Sequence, residues 1–136
     1  EGTTRQYLPI EYPALADTRV VNALAEAAQG LGVEYHLGVS HTKDSFYGEI
    51  ESERMPLADE LKLRWKAWVA GGAICSEMEA SAVFILASIY RKRSGGVMTV
   101  VGSDTATLLQ KKADPNLMIR VAVEAIKLLI SADRKA

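Results

Sequence analysis

The sequence predicts an α/β protein, a layered fold with a largely parallel sheet. Three observations predict it. Helical and strand periodicities alternate along the chain. The strand-like runs are short and apolar, as strands covered by helices must be. Polar and acidic residues gather just after those runs, where ligands meet open α/β sheets. The composition admits a packed core, with 136 residues, 49% of them hydrophobic and 24% charged. No internal repeat, low-complexity stretch or linker interrupts the chain, so residues 1–136 read as a single domain.

The elements follow in order. Pro9 and Pro13 confine the opening segment to a loop or an edge strand. Asp17 supplies an N-cap, and Val21, Leu24, Ala25, Ala28 and Leu31 recur at helical spacing until Gly30 and Gly32 stop the run. Val33 to Val39 alternates Val33, Tyr35, Leu37 and Val39 with Glu34, His36 and Gly38, the pattern of a strand with one face covered. His36 there reads as a satisfied strand histidine. Ser40 to Met55 is polar and charged and reads as a long loop that holds Phe46 and Tyr47. Pro56 opens a second helix with Leu57, Leu61, Trp65, Trp68 and Val69 on one stripe, closed by Gly71-Gly72. The two tryptophans are assigned to a core or a subunit interface.

Ala73-Ile74-Cys75 then predicts a short strand. Ser76-Glu77-Met78-Glu79 turns it into a helix marked by Ala80, Val83, Phe84, Ala87 and Tyr90. Val97 to Val101, between Gly95-Gly96 and Gly102, reads as a strand buried on both faces. Asp114-Pro115 starts the last helix, whose Met118, Val121, Ala122, Ala125, Leu128 and Leu129 recur three and four apart.

Charge and cysteine content exclude several classes. Sixteen Lys+Arg against seventeen Asp+Glu give a net charge of -1, so there is no basic excess for a nucleic acid or an anionic membrane surface. Apolar runs such as Ala82 to Ala87 fall far short of the roughly 20 residues that cross a bilayer. A single cysteine, Cys75, permits neither an intrachain disulfide nor a thiol-based zinc site, and a reducing cytoplasmic setting is expected. No metal-ligand spacing, phosphate-binding glycine loop or Ser-His-Asp order stands out. The opening Glu1-Gly2-Thr3-Thr4, without an initiator Met, reads as part of something longer.

Chemistry is therefore expected after Val39, Cys75 and Val101. Glu77 and Glu79 flank Met78 where an apolar strand gives way to a helix. They serve either as first-turn charges favoured by the helix dipole or as acceptors for vicinal sugar hydroxyls, with Met78 against the ring. Asp104 is either a turn residue or an acid placed to protonate a departing nitrogenous base. Phe46 either stacks on a flat ligand or packs on its own loop. His41 is loop-borne and open to either role, and Cys75 reads as a small buried residue.

Lys43-Asp44-Ser45-Phe46-Tyr47-Gly48, the helix with Trp65 and Trp68, and Ser76-Glu77-Met78-Glu79-Ala80-Ser81-Ala82 together resemble the uridine phosphorylase branch of the nucleoside phosphorylase family. The resemblance runs over nearly the whole chain and matches the family's carboxyl-terminal half. It implies reversible cleavage of a ribonucleoside by inorganic phosphate, as co-substrate, to ribose 1-phosphate and free base. It also implies a three-layer α/β/α fold around a mixed, largely parallel central sheet, homo-oligomers (dimers or hexamers), and no metal or organic cofactor. Glu77, Met78 and Glu79 would hold ribose, and Phe46 would lie by the base. The family's uracil-reading Gln and Arg are replaced here by Glu49 and, several residues on, Arg54. Ser103-Asp104 resembles the pair with which purine-cleaving relatives bind and protonate the base, which makes Asp104 the catalytic acid and a purine nucleoside phosphorylase or nucleosidase the alternative. A non-catalytic nucleoside-binding homologue is a further alternative. The family's phosphate-binding loop and arginines belong to an amino-terminal half that does not lie in these residues.

Overall fold

The computed structural model describes residues 2–102 and 114–135. It divides into two compact units, one holding the chain up to Leu15 and Leu37–Lys92, the other Ala16–His36 and the chain from Arg93 onward.

The second of these units is a helix pair. Helix α1 spans Thr18–Gly30, and its N-cap is Asp17, whose Oδ1 accepts the Arg19 and Val20 amides at 2.9 and 3.2 Å. Its end is local chemistry too. Gly32 takes φ +66°, its amide bonds Gln29 O at 3.0 Å, and the Val33 amide bonds Ala28 O at 2.9 Å, a paired closure that satisfies the last carbonyls. The last helix, α5 in chain order, spans Pro115–Asp133, with Asp114 accepting the Asn116 amide at 2.9 Å and Pro115 in its first turn. The two helices meet through small side chains: Ala23, Ala27 and Ala28 of α1 and Val121 and Ala125 of α5 are buried together, with Leu24, Leu31, Val33, Val97, Leu128 and Leu129 packed around them.

The other unit is a parallel crossover. Strand β1 (Val39–Thr42) pairs with β2 (Ala73–Glu77), and between them lie α2 (Phe46–Ile50), a 3-10 turn (Ser52–Arg54) and α3 (Ala58–Ala70). Parallel neighbours need such a crossover because a tight hairpin cannot join them. Helix α4 (Ala80–Ile89) leaves β2 directly, burying Ala80 and Ile85. Register matches Ser40 with Cys75, His41 with Ser76 and Thr42 with Glu77, after an irregularity between Val39 and Ser40.

The α/β class is as the sequence predicts, and among the described residues the sheet is this parallel pair. Several expectations are corrected. The strand predicted over Val33 to Val39 begins only at Val39, and Leu37 and Val39 are 70% and 66% exposed; alternation marks a residue pattern, whereas the strand forms where β2 supplies hydrogen-bond partners. His36 is exposed rather than a satisfied strand histidine. Val97 to Val101 has no strand pairing, and only Val97 and Thr99 are half-buried while Met98 and Val100 are exposed, so one side is covered, not two. The loop predicted from Ser40 to Met55 contains α2, because Ser45 Oγ accepts the Gly48 amide at 3.0 Å and caps it.

Candidate active site

Polar groups converge at the carboxyl ends of β1 and β2, the position at which open parallel sheets bind ligands. The ladder continues one step beyond the strands, where the Lys43 amide donates to Glu77 O at 2.9 Å. Two hydrogen-bonded networks grow from this point.

The first involves Glu77. Its Oε1 accepts the Thr42 hydroxyl, and its Oε2 accepts the Glu79 and Ala80 amides at 2.7 and 2.6 Å. Thr42 Oγ1 in turn accepts the Ser81 amide at 3.1 Å. The amides of Glu79, Ala80 and Ser81, at the N-terminus of α4, are thereby satisfied by two side chains, which is the capping reading of Glu77. Burial works to raise the Glu77 pKa, but the Thr42 hydroxyl, the two amides and the nearby His41 outweigh it and hold the carboxyl below its ordinary range. Glu79 is oriented by the same cap, and its Oε2 accepts the Met78 amide at 3.3 Å. Met78 is 40% exposed, available to a ligand as a soft apolar surface.

The second network centres on Glu49, from the short helix α2. Lys43 Nζ donates to Glu49 Oε1 at 3.1 Å and to Ser76 Oγ at 3.2 Å, and the Ser76 hydroxyl donates to Glu49 Oε2 at 2.7 Å. His41 Nδ1 lies 3.3 Å from Ser76 Oγ and 3.9 Å from Glu49 Oε2. The His41 ring stacks on Trp68 at 5.2 Å and meets Trp65 edge-on at 6.2 Å. Lys43 Nζ also lies over the Phe46 ring, 5.5 Å from its centroid, a cation–π distance, and Phe46 and Tyr47 form a T-shaped pair. An open pocket of about 160 Å³ is lined by His41, Lys43, Glu49, Leu61, Trp65 and Trp68, with Asp44, Ser45, Gly48 and Arg64 completing its wall.

The structure thus brings Glu77, Met78 and Glu79 together at one strand end and places Phe46 and Glu49 around Lys43. Arg54 is directed elsewhere, in an exposed ion pair with Glu51. Ser103 and Asp104 lie outside the described residues. Burial first, and the Glu77 charge second, push the Cys75 thiol above its usual range, which keeps it protonated and poorly nucleophilic. Among the described residues no group of three His, Cys, Asp or Glu side chains could hold a metal ion, and no helix is long and apolar enough to cross a membrane. Sequence reasoning missed Thr42 and gave no individual role to Lys43 and Ser76, although both stand in the segments it singled out. The only signal for the three is that position at strand ends.

Comparison with known proteins identifies the family. The family described as the phosphorylase superfamily matches residues 1–132. Uridine phosphorylase of Treponema pallidum (strain Nichols) is 44% identical over 137 residues, covering 98% of this chain and 53% of its own length. Uridine phosphorylase of Thermococcus kodakarensis is 38% identical, with 99% and 49% covered. Guanosine phosphorylase of Halorubrum lacusprofundi is 31% identical, with 95% and 54% covered. The chain spans about half the length of these relatives.

Proposed function

The chain belongs to the phosphorylase superfamily, and from that premise we propose that it serves the reversible, phosphate-dependent cleavage of uridine to uracil and ribose 1-phosphate. The enzyme is a pentosyltransferase in this reading. The observation that carries it is the Glu77-Met78-Glu79 segment at the carboxyl ends of two parallel strands, with the backbone amide of Glu79 fixed by a capping carboxylate. Glu79 accepts hydrogen bonds from the ribose hydroxyls, Met78 lies against the sugar, and Glu77 holds the segment in place as well as lying within reach of the sugar. Phe46, half exposed beside Lys43, lies along the base, with Glu49 behind it. The transition state develops oxocarbenium character, and the protein acts by orienting the sugar and stabilising the departing base and the phosphate.

Inorganic phosphate is the co-substrate, and neither a metal nor an organic cofactor takes part. The 136 residues form the carboxyl-terminal part of one nucleoside phosphorylase-like domain with a three-layer α/β/α fold, working in the cytoplasm as a dimer or hexamer. A purine nucleoside is the second reading. It is supported by Ser103-Asp104, with Asp104 as the acid that protonates the leaving base, and by the similarity to a guanosine phosphorylase. Arg54 belongs to the base site only if its pair with Glu51 opens on binding.

The experiment is release of free base from uridine and from inosine by the full-length protein, each with and without phosphate. Phosphate-dependent uracil release is expected. Hypoxanthine release in preference to uracil moves the protein to the purine reading, and release without phosphate replaces phosphorolysis by hydrolysis.

A further inference from the structure

We propose that Thr42 is a positioning residue for the reaction: through the Glu77 carboxylate, its hydroxyl sets where Met78 and Glu79 stand against the sugar. The inference rests on the functional reading above and adds to it a residue of the neighbouring strand that acts through others. Met78 and Glu79 are exposed and lie between the end of β2 and the start of α4. Glu79 is the N-cap residue of α4, yet its side chain makes no capping bond, so the helix does not hold its carboxylate.

What holds the segment is Glu77. Its Oε2 accepts the Glu79 and Ala80 amides at 2.7 and 2.6 Å. Those two bonds tie the segment to itself and give it no place relative to β1. The ladder bond from the Lys43 amide to Glu77 O, at 2.9 Å, fixes the main chain of Glu77 but reaches neither its carboxylate nor the residues after it. Thr42 supplies the missing reference. Its hydroxyl donates to Glu77 Oε1, and Thr42 Oγ1 accepts the Ser81 amide at 3.1 Å, so one side chain of β1 fixes the chain on both sides of Met78 and Glu79. The carboxylate needs a donor and the amide an acceptor, and a hydroxyl is both on one atom. The β-branched side chain restricts χ1, which fixes the aim of that hydroxyl, and its half-buried place strengthens both bonds. A misplacement of about 1 Å in a group that holds substrate can cost on the order of 100-fold in rate. Loss of the Thr42 hydroxyl is therefore expected to register in the kinetics of the sugar as well as in the stability of the fold.

The test is kcat/KM of the full-length protein, at saturating phosphate, for the ribonucleoside it cleaves and for the 2′,3′-dideoxy counterpart. The proteins compared are the parent, Thr42→Val, Thr42→Ser, Glu79→Ala and the double variant T42V/E79A. Thr42→Val is expected to lower the preference for the ribonucleoside about tenfold, whereas a purely structural role would depress both substrates alike and leave the preference unchanged. Thr42→Ser, which keeps the hydroxyl, should restore the preference to within about threefold of the parent. In the Glu79→Ala background, Thr42→Val should change kcat/KM for the ribonucleoside by less than about twofold, since the group it positions is gone. An unchanged preference in folded Thr42→Val, or effects of the two substitutions that multiply in the double variant, overturns the proposal while leaving phosphorolysis intact. Should Thr42→Val not fold, Thr42→Ala, which loses the same two hydrogen bonds, takes its place with the same expected fall. If the parent cleaves no nucleoside, the functional reading fails separately, and titration calorimetry with uridine and 2′,3′-dideoxyuridine decides. A preference for uridine that Thr42→Val abolishes supports the positioning role, and an absent or unchanged preference overturns it.

Discussion

Thr42 and Glu77 are register partners at the ends of the two parallel strands, and their side chains join those ends to the first turn of α4. The Thr42 hydroxyl donates a hydrogen bond to Glu77 and accepts one from the Ser81 amide, so one side chain satisfies both sides of the junction. In this arrangement Glu77 is principally a cap, whereas its neighbour Glu79 is exposed.

Thr42→Val keeps the shape of the side chain and removes both hydrogen bonds. It should lower the stability of the full-length protein by about 1–3 kcal/mol, because the Ser81 amide and the Glu77 carboxylate lose a partner in a half-buried place. Thr42→Ser, which loses only a methyl group, should stay within about 1 kcal/mol of the parent. Denaturant titration of the three proteins checks the order, and a valine variant as stable as the serine one would remove Thr42 from the junction.

Glu77 also predicts an acid dependence of stability. An unfolded glutamate titrates near about pH 4.3, and in the folded protein the Thr42 hydroxyl and the two amides overcome burial to hold it lower. A depressed folded pKa contributes stability that is complete above the unfolded value and is lost as the pH falls through the folded one. The Tm difference between the parent and Glu77→Gln should therefore be largest above about pH 5 and shrink toward pH 3. A difference that is constant over this range would mean that the Glu77 charge does not support the fold.

If Glu79 receives ribose hydroxyls, Glu79→Ala should reduce kcat/KM for the ribonucleoside by roughly 10- to 150-fold, the equivalent of about 1.5–3 kcal/mol for a charge-assisted hydrogen bond. The same substitution should affect a 2′,3′-dideoxynucleoside far less, since the hydroxyls it would bind are missing. Steady-state kinetics on both substrates separates this role from a purely structural one, which would depress both equally.

The parts of this structure legible in the sequence are those set by neighbours in the chain. Asp17 and Asp114 cap helices through amides two or three residues away, and Gly32 closes α1 through bonds within five residues, so each announces itself by type and spacing. Strand limits are different. Leu37 and Val39 continue an alternating pattern, yet pairing begins only where β2 comes alongside β1. The candidate site divides in the same way. Glu77-Met78-Glu79 is visible as a motif, but the role of Glu77 is fixed by Thr42, 35 residues earlier. Lys43 and Ser76 are 33 residues apart and meet only because the crossover returns the chain in parallel.

A close approach in the helical unit yields the last prediction. A Cβ added at Gly95 would stand 2.5 Å from Val20 Cγ1 and 3.2 Å from Val20 Cβ, both well inside contact distance. Val20 is β-branched and lies in the first turns of α1, where one χ1 rotamer dominates, so its methyl groups cannot swing clear. The backbone must shift instead, and Gly95→Ala should destabilise the protein by about 1–3 kcal/mol. Val20→Ala removes the obstructing methyls at a smaller loss of burial. In the double variant the alanine at 95 has room, so the combined effect should be less than the sum of the two single effects by at least about 0.5–1 kcal/mol. Equilibrium unfolding of the four proteins gives this coupling directly, and strictly additive effects would show that Gly95 is required for something other than its contact with Val20.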